Sequence, residues 1–242
     1  MIFDAVILAG GRAARLGGTP KPGIVVAGAT LLDHALAATR DAACTVVVGP
    51  PDALPDATAA RLAERDARRI VRTREDPPFG GPVAGIDAGL RALAARREDP
   101  SPMRTAPVDT DARGQALARA APWVVVLAVD VPRAALAVPH VVDALAHLEA
   151  PSDGAFLVRD GHPQWLVGGY RRDALLAALD GVRDGGSVHG VPVKRLVAGL
   201  ACVEVPDAGG WSDDVDTWDD VRAITSAAGP GTAQTGVGEG TA

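Results

Sequence analysis

Two adjacent glycines, then an arginine and a lysine, follow the first apolar run of the chain: Leu8-Ala9-Gly10-Gly11, Arg15 and Lys21. A strand ending in glycines exposes backbone N–H groups without Cβ obstruction, so the turn can close around phosphate oxygens while Arg15 and Lys21 neutralise their charge. A glycine turn with surface cations is the plainer alternative, and it accounts better for a bare Gly-Gly than for the whole set. Among 24 basic residues only Lys21 and Lys194 are lysine. Against that arginine-rich background, a lysine suggests a position that needs a compact ammonium rather than a planar fork. The segment is neither a Walker A loop nor a dinucleotide fingerprint, because Gly-x-x-x-x-Gly-Lys-Ser/Thr and Gly-x-Gly-x-x-Gly are both missing from it.

A second glycine-rich segment, Glu75-Asp76-Pro77-Pro78-Phe79-Gly80-Gly81-Pro82-Val83-Ala84-Gly85, leads into an apolar helical stripe. Pro82 suits a first helical turn whose amides face a bound anion, although an ordinary helix start reads the same way. Asp130, in Ala128-Val129-Asp130-Val131-Pro132, ends the most hydrophobic run. A carboxylate at such a strand end is either a hard oxygen ligand of the kind Mg²⁺ prefers or a helix cap. In Ser212-Asp213-Asp214-Val215-Asp216-Thr217-Trp218-Asp219-Asp220, the pair Asp216-Thr217 opens an acidic first turn, as a capped helix would. Asp160-Gly161-His162-Pro163-Gln164 has the composition of a hairpin turn, with more loop after Asp-Gly than a two-residue turn allows.

Elements must position these residues, and apolar periodicity supplies them. Residues 2–9, 45–49, 70–73 and 123–129 are short β-branched runs bounded by Gly, Pro or Asp, the first and last apolar enough to be buried on both faces. Between them, Leu31, Leu32, Ala35, Leu36 and Ala38 follow a capping Thr30, and Val83, Ile86, Leu90 and Leu93 form another stripe. Strand–helix alternation predicts parallel βαβ units with helices on both faces. A hairpin over 154–159 and 164–170 predicts one antiparallel strand, and helices near 173–180, 191–199 and 217–227 with a strand at 201–205 complete the domain. One domain over 1–228 is expected, with a flexible insertion at 98–121 and a disordered tail at 229–242.

Composition narrows the partners. A net charge of −6 offers no general attraction to nucleic acid or an anionic membrane, so any phosphate site must be local and the partner a small molecule. No run approaches the roughly 18 apolar residues of a membrane span, and the start lacks a basic leader pattern, so cytoplasm is the expected location. Cys44 and Cys202 read as small core residues rather than as a disulfide or metal pair.

The first motif resembles the signature of the nucleotidyltransferase superfamily, which includes sugar-phosphate nucleotidyltransferases and molybdenum cofactor guanylyltransferases. In the latter family the pattern is Leu-Ala-Gly-Gly, a few residues, Arg-Met-Gly-Gly, one residue, Asp-Lys; here Leu16 stands for the Met and Pro20 for the Asp. The second segment resembles the family's Gly-Pro-Leu-Ala-Gly element, with Asp76 at its upstream acidic position, and Asp130 resembles its Asp-x-Pro. The last resembles its Asn-x-Asn-Thr-Pro-Glu-Asp element, with Asp214 and Asp216 in place of both Asn and Trp218 in place of Pro. The hairpin resembles one that faces the acceptor, with Pro-Gln order here, and a turn with a solvated histidine fits equally well.

The resemblance implies a Rossmann-like three-layer α/β/α nucleotidyltransferase fold with a mostly parallel sheet. It implies nucleotide binding by Leu8, Ala9, Gly10, Gly11, Arg15, Lys21, Asp76, Gly81 and Gly85, with Arg15, Lys21 and Asp130 catalytic. Asp130 and Asp216 would hold Mg²⁺, and His162, Gln164 and Asp214 would meet the acceptor. The implied reaction transfers GMP from GTP to the phosphate of molybdopterin or molybdenum cofactor, with transient contact to other cofactor-biosynthesis or acceptor proteins. Two rivals stand beside it: cytidylyl or other nucleotidyl transfer to a related cofactor, sugar phosphate or phosphoenol acceptor, and a non-catalytic nucleotide-binding regulator. Gly49-Pro50 replaces an Asn that commonly holds the nucleotide, so the base stays open.

Overall fold

The computed structural model describes residues 1–10, 16–50, 70–98 and 121–227. Gly11, Arg15, all but the two end residues of the insertion expected at 98–121, and the tail expected at 229–242 lie outside the described residues.

The described strands are β1 (Phe3–Leu8), β2 (Val25–Val26), β3 (Ala29–Thr30), β4 (Thr45–Val48), β5 (Ile70–Thr73), β6 (Trp123–Ala128), β7 (Gly154–Arg159), β8 (His162–Arg171) and β9 (Cys202–Pro206). Successive side chains of a strand point to opposite faces. Accordingly Phe3, Ala5 and Ile7 of β1 enter one core and Val6 and Leu8 the other, and β6 splits in the same way. Strands buried on both faces belong in the middle of a covered sheet. The order is β5-β4-β1-β6-β8-β7-β9, with β2 and β3 forming a separate small hairpin. Within the large sheet β8 runs antiparallel to β6 and β7, and the other described pairings are parallel.

The described α-helices are α1 (Leu31–Ala38), α2 (Pro82–Glu98), α3 (Ala134–Ala146), α4 (Arg172–Asp184), α5 (Val193–Val197) and α6 (Trp218–Ala227). Leu31, Leu32 and Ala35 of α1, Val138, Val141 and Leu145 of α3 and, partly buried, Val221 and Ile224 of α6 cover one face. Val83, Ile86, Leu90 and Leu93 of α2, Leu175 and Leu179 of α4 and Leu196 of α5 cover the other. The result is the three-layer α/β/α arrangement with one antiparallel strand that the sequence predicted. No described helix is long and apolar enough to cross a membrane.

Two local features differ from expectation. The β7–β8 turn is tight: Asp160 (φ 48°) and Gly161 (φ 76°) are both left-handed, and Arg159 pairs with His162. That is the two-residue turn whose twist suits a hairpin. The extra residues form a bulge instead, because Phe156 pairs with Gly168 while Leu157 pairs with Gln164. The Tyr170 hydroxyl donates to the Trp165 carbonyl at 2.7 Å inside that bulge. Helix α3, with Pro139 within it, was not read from the sequence.

Candidate active site

The C-terminal ends of the parallel strands line one edge of the sheet, and the chemistry-bearing residues gather there. Pairing continues past the strand ends: Ala9 N donates to Val48 O (2.7 Å), Val129 N to Leu8 O (3.1 Å) and Gly49 N to Thr73 O (3.0 Å). The Leu8 carbonyl and the Ala9 amide are therefore engaged by neighbouring strands, and both residues are buried. Gly10 is the first exposed residue of the run. The described chain resumes at buried Leu16, and Gly17 (φ 69°) and Gly18 (φ 78°) turn it through a backbone conformation that side chains disfavour. A 3₁₀ turn over Lys21–Gly23 follows, with Pro22 buried and Gly23 N donating to Pro20 O at 3.1 Å.

This turn fixes Lys21. Its Nζ donates to Asp130 Oδ2 at 2.7 Å and to Asp216 Oδ1 at 2.6 Å. Burial works against the charge on Lys21, but Asp130 and Asp216 outweigh it and hold the ammonium pKa above its ordinary value. Both capping alternatives are answered by the same geometry. Helix α3 has Arg133 at its cap position with no side-chain cap bond, and the Asp130 carboxylate turns to Lys21. At α6 the cap is Thr217, whose Oγ1 accepts from Asp220 N at 3.2 Å while Asp220 Oδ2 accepts from Thr217 N at 2.7 Å. Asp216, one residue earlier, reaches Lys21.

Alternation also explains why Asp214 and Asp216 arrive together. Val215 between them is fully buried, and its N–H donates to the Asp130 carbonyl at 2.9 Å, which docks the segment beside the end of β6. Carboxylate oxygens of Asp130, Asp214 and Asp216 all lie within 4.8 Å of one another. Asp214 is an exposed residue with a crowded carboxyl group: partial desolvation, then the charges of Asp130 and Asp216, raise its pKa. Asp214 was expected at the acceptor, and the structure brings it into this cluster.

The loop carrying these acids is held by Asp207. Its Oδ1 accepts from Trp211 N (2.8 Å), and its Oδ2 from Ser212 N (2.9 Å) and Ser212 Oγ (2.5 Å). The Trp211 ring stacks on His140 of α3 at 4.0 Å between centroids, and Arg159 at the hairpin reaches Asp213 at 3.5 Å. Antiparallel pairing with β6 sets the start of β8 at the same sheet edge as Asp130, so exposed His162 and partly exposed Gln164 lie there beside the turn. His162 Nδ1 is 3.0 Å from the Asp160 carbonyl, and Gln164 Nε2 donates to the His162 carbonyl at 3.3 Å.

On the other side of β1, the acid near Gly10 is Glu75. Its Oε1 accepts from Phe79 N at 2.9 Å. A Cβ built on Gly10 would lie 3.9 Å from Oε1, and one on Gly85 would lie 3.4 Å from Oε2 and 2.9 Å from Leu8 Cδ2. Glu75 thus lies close to both Gly10 and Gly85, the latter in the first turn of α2, which Gly81 (φ 83°) precedes. Asp76 is exposed and lines, with Glu75, Asp87, Arg91 and His189, a cavity of about 300 Å³ along α2 that includes none of Lys21, Asp130 and Asp216.

A profile described as the MobA-like NTP transferase domain matches residues 5–197, most of the chain. The chain belongs to the MobA-like NTP transferase family. Among curated relatives, a molybdenum cofactor guanylyltransferase of Acidiphilium cryptum (strain JF-5) is 37% identical over 108 residues, 44% of this chain and 50% of that protein. One from Bradyrhizobium sp. (strain ORS 278) is 43% identical over 94 residues, 38% of this chain and 40% of that protein. The matched stretch spans about half the length of these relatives or less. Among solved structures, 2-C-methyl-D-erythritol 4-phosphate cytidylyltransferase from Thermus thermophilus superposes with a TM-score of 0.58 at 20% identity, covering 94% of this chain and 99% of that one. Rv0371c from Mycobacterium tuberculosis H37Rv gives 0.60 at 21% identity, covering 93% and 99%. At such identities the likeness is one of fold.

Within this MobA-like frame, sequence reasoning named Lys21, Asp130 and Asp216 and missed the reach of Glu75. The signal was present, since Glu75 is the first acid after β5 and precedes the two prolines that turn the chain.

Proposed function

We propose that this protein transfers a nucleoside monophosphate, GMP from GTP, to the phosphate of a molybdopterin cofactor and releases pyrophosphate. The observation that carries this reading is the convergence of Lys21, Asp130 and Asp216 at the strand ends, in a chain of the MobA-like family whose curated relatives are named molybdenum cofactor guanylyltransferase. An oxygen of the acceptor phosphate attacks the α-phosphorus, the bond from that phosphorus to the β-bridging oxygen breaks, and pyrophosphate leaves with the electron pair. No covalent intermediate on the protein is needed, so its task is to position two polyanions and neutralise them.

Three clustered carboxylates form the hard oxygen donor set that Mg²⁺ favours, and the residues that would hold it are Asp130, Asp214 and Asp216. When bound, Mg²⁺ supplies charge neutralisation and a template for phosphate oxygens. Lys21, Arg15, the Gly10 and Gly11 amides and the first turn of α2 from Gly81 to Gly85 are the groups to hold the triphosphate. Glu75, with Asp76 next to it, would accept from a base or ribose donor. His162 and Gln164, at the same sheet edge, would meet the acceptor.

The test is pyrophosphate release by the purified protein given GTP, CTP, ATP or UTP with Mg²⁺ and molybdopterin. Release with GTP and acceptor together is expected. Turnover with CTP alone would move the reading to cytidylyl transfer, and tight nucleotide binding without pyrophosphate under any acceptor would make the protein a regulator.

A further inference from the structure

We propose that Lys21 is the resident counter-ion of the carboxylate cluster and that a divalent cation takes its place, so that metal entry delivers the Lys21 ammonium to the phosphates. This rests on the nucleotidyl-transfer reading above. Lys21 Nζ lies 2.7 Å from Asp130 Oδ2 and 2.6 Å from Asp216 Oδ1, and these two residues, with Asp214, are the group able to hold a cation. A small divalent ion draws carboxylate oxygens to about 2.1 Å. An ammonium in contact with both Asp130 and Asp216 fills that space, and two cations so close would repel one another strongly. The lysine and the metal therefore exclude each other.

The architecture allows the exchange. Prolines at 20 and 22 flank Lys21, and Ile24 N donates to the Lys21 carbonyl at 3.1 Å, so the backbone stays in place. The four-carbon stem moves by rotamer changes alone, which are fast. Three carboxylates stand against one ammonium, so replacing it with a dication brings the cluster closer to neutrality and leaves a mobile positive charge at the strand ends. Without phosphates to receive it, Lys21 gives up two ion pairs for nothing and metal binding is weak. With phosphates present the loss is recovered, which makes metal and nucleotide affinities reciprocally linked.

The lysine content makes this measurable, because Lys21 and Lys194 are the only two lysines in the chain. Protein labelled at lysine ¹³Cε gives two side-chain signals, assigned with Lys194→Arg. Titration with Mg²⁺ and no nucleotide should move the Lys21 signal with the binding curve and leave the Lys194 signal still. In calorimetry, nucleotide-free Lys21→Met should bind Mg²⁺ about tenfold more tightly than wild type, the scale set by losing a pair of partly exposed ion pairs. A stationary Lys21 signal at saturating Mg²⁺ would overturn the exchange, as would equal or weaker Mg²⁺ binding by Lys21→Met, and in either case the transfer reading would stand. Absence of Mg²⁺ binding by both proteins would overturn the exchange together with the metal assignment. The labelled wild type tests the exchange even if the variant fails to fold.

Discussion

Two side chains that could have been ordinary helix caps, Asp130 and Asp216, instead meet one lysine, and what each contributes can be separated by substitution. Lys21→Ala removes the ammonium, so nucleotidyl transfer should fall by at least about tenfold, and because the clustered carboxylates lose their counter-ion the thermal midpoint without Mg²⁺ should fall as well. Steady-state rates beside a melting curve check this, and wild-type turnover would remove Lys21 from the site. Asp130→Asn keeps the shape and deletes a charge, so it should raise the Mg²⁺ concentration needed for half-maximal rate. Asp216→Asn installs the residue type that the resembled Asn-x-Asn element carries, and the amide oxygen remains a weaker ligand, so its loss should be milder, on the order of tenfold in rate. Titrating rate against Mg²⁺ for both variants decides between them. An unchanged Mg²⁺ midpoint in Asp130→Asn would sink the metal assignment.

The segment between β9 and α6 carries Asp214 and Asp216, and Asp207 is its anchor. Desolvation opposes the Asp207 charge, but hydrogen bonds from the Ser212 hydroxyl and amide and the Trp211 amide, with the charge of Arg159, hold its pKa below the ordinary 3.8. A carboxylate with a depressed folded pKa adds stability that is fully present above the unfolded value and is lost as pH falls through the folded one. Wild type should therefore lose stability below about pH 4 more steeply than Asp207→Ala, which at neutral pH should itself be less stable by about 1 kcal/mol. Melting curves from pH 2 to 7 test the slope. Much at this scale was legible: the strand ends, α1 with its Thr30 cap, α2 and the antiparallel strand all follow from local periodicity and turn chemistry. Other parts were hidden for definite reasons. Pro139 interrupts the helical signal of α3, because a proline inside a helix removes a backbone bond. Thr217 takes the cap at α6, which composition could not separate from Asp216. The slack expected after Asp160-Gly161 sits in the bulge at Leu157 and Gln164, a matter of register that only the partner strand reveals.

Across the whole molecule, the interactions least visible in the sequence are those between residues far apart in the chain. Asp4, fully buried in β1, pairs with buried Arg172 at the start of α4, whose Nε also donates to the Ala121 carbonyl at 2.8 Å. Asp4→Ala leaves a buried guanidinium without this carboxylate and should cost roughly 3 kcal/mol, whereas replacing both residues with leucine should cost less than that single change. Denaturant unfolding of the single and double variants gives the comparison, and equal losses would show that charge pairing is not the cause. Lys21 likewise meets Asp216, 195 positions away. It has a consequence for the chain at its synthesis. Lys21 emerges early from the ribosome, Asp130 near the middle of the chain and Asp214 and Asp216 late, so a stalled chain ending before Asp214 should release no pyrophosphate. Through most of translation the nascent polypeptide therefore carries Lys21 without all the acids that gather around it in the folded chain, and under the transfer reading proposed above it would turn a nucleotide over only once Asp214 and Asp216 have been made.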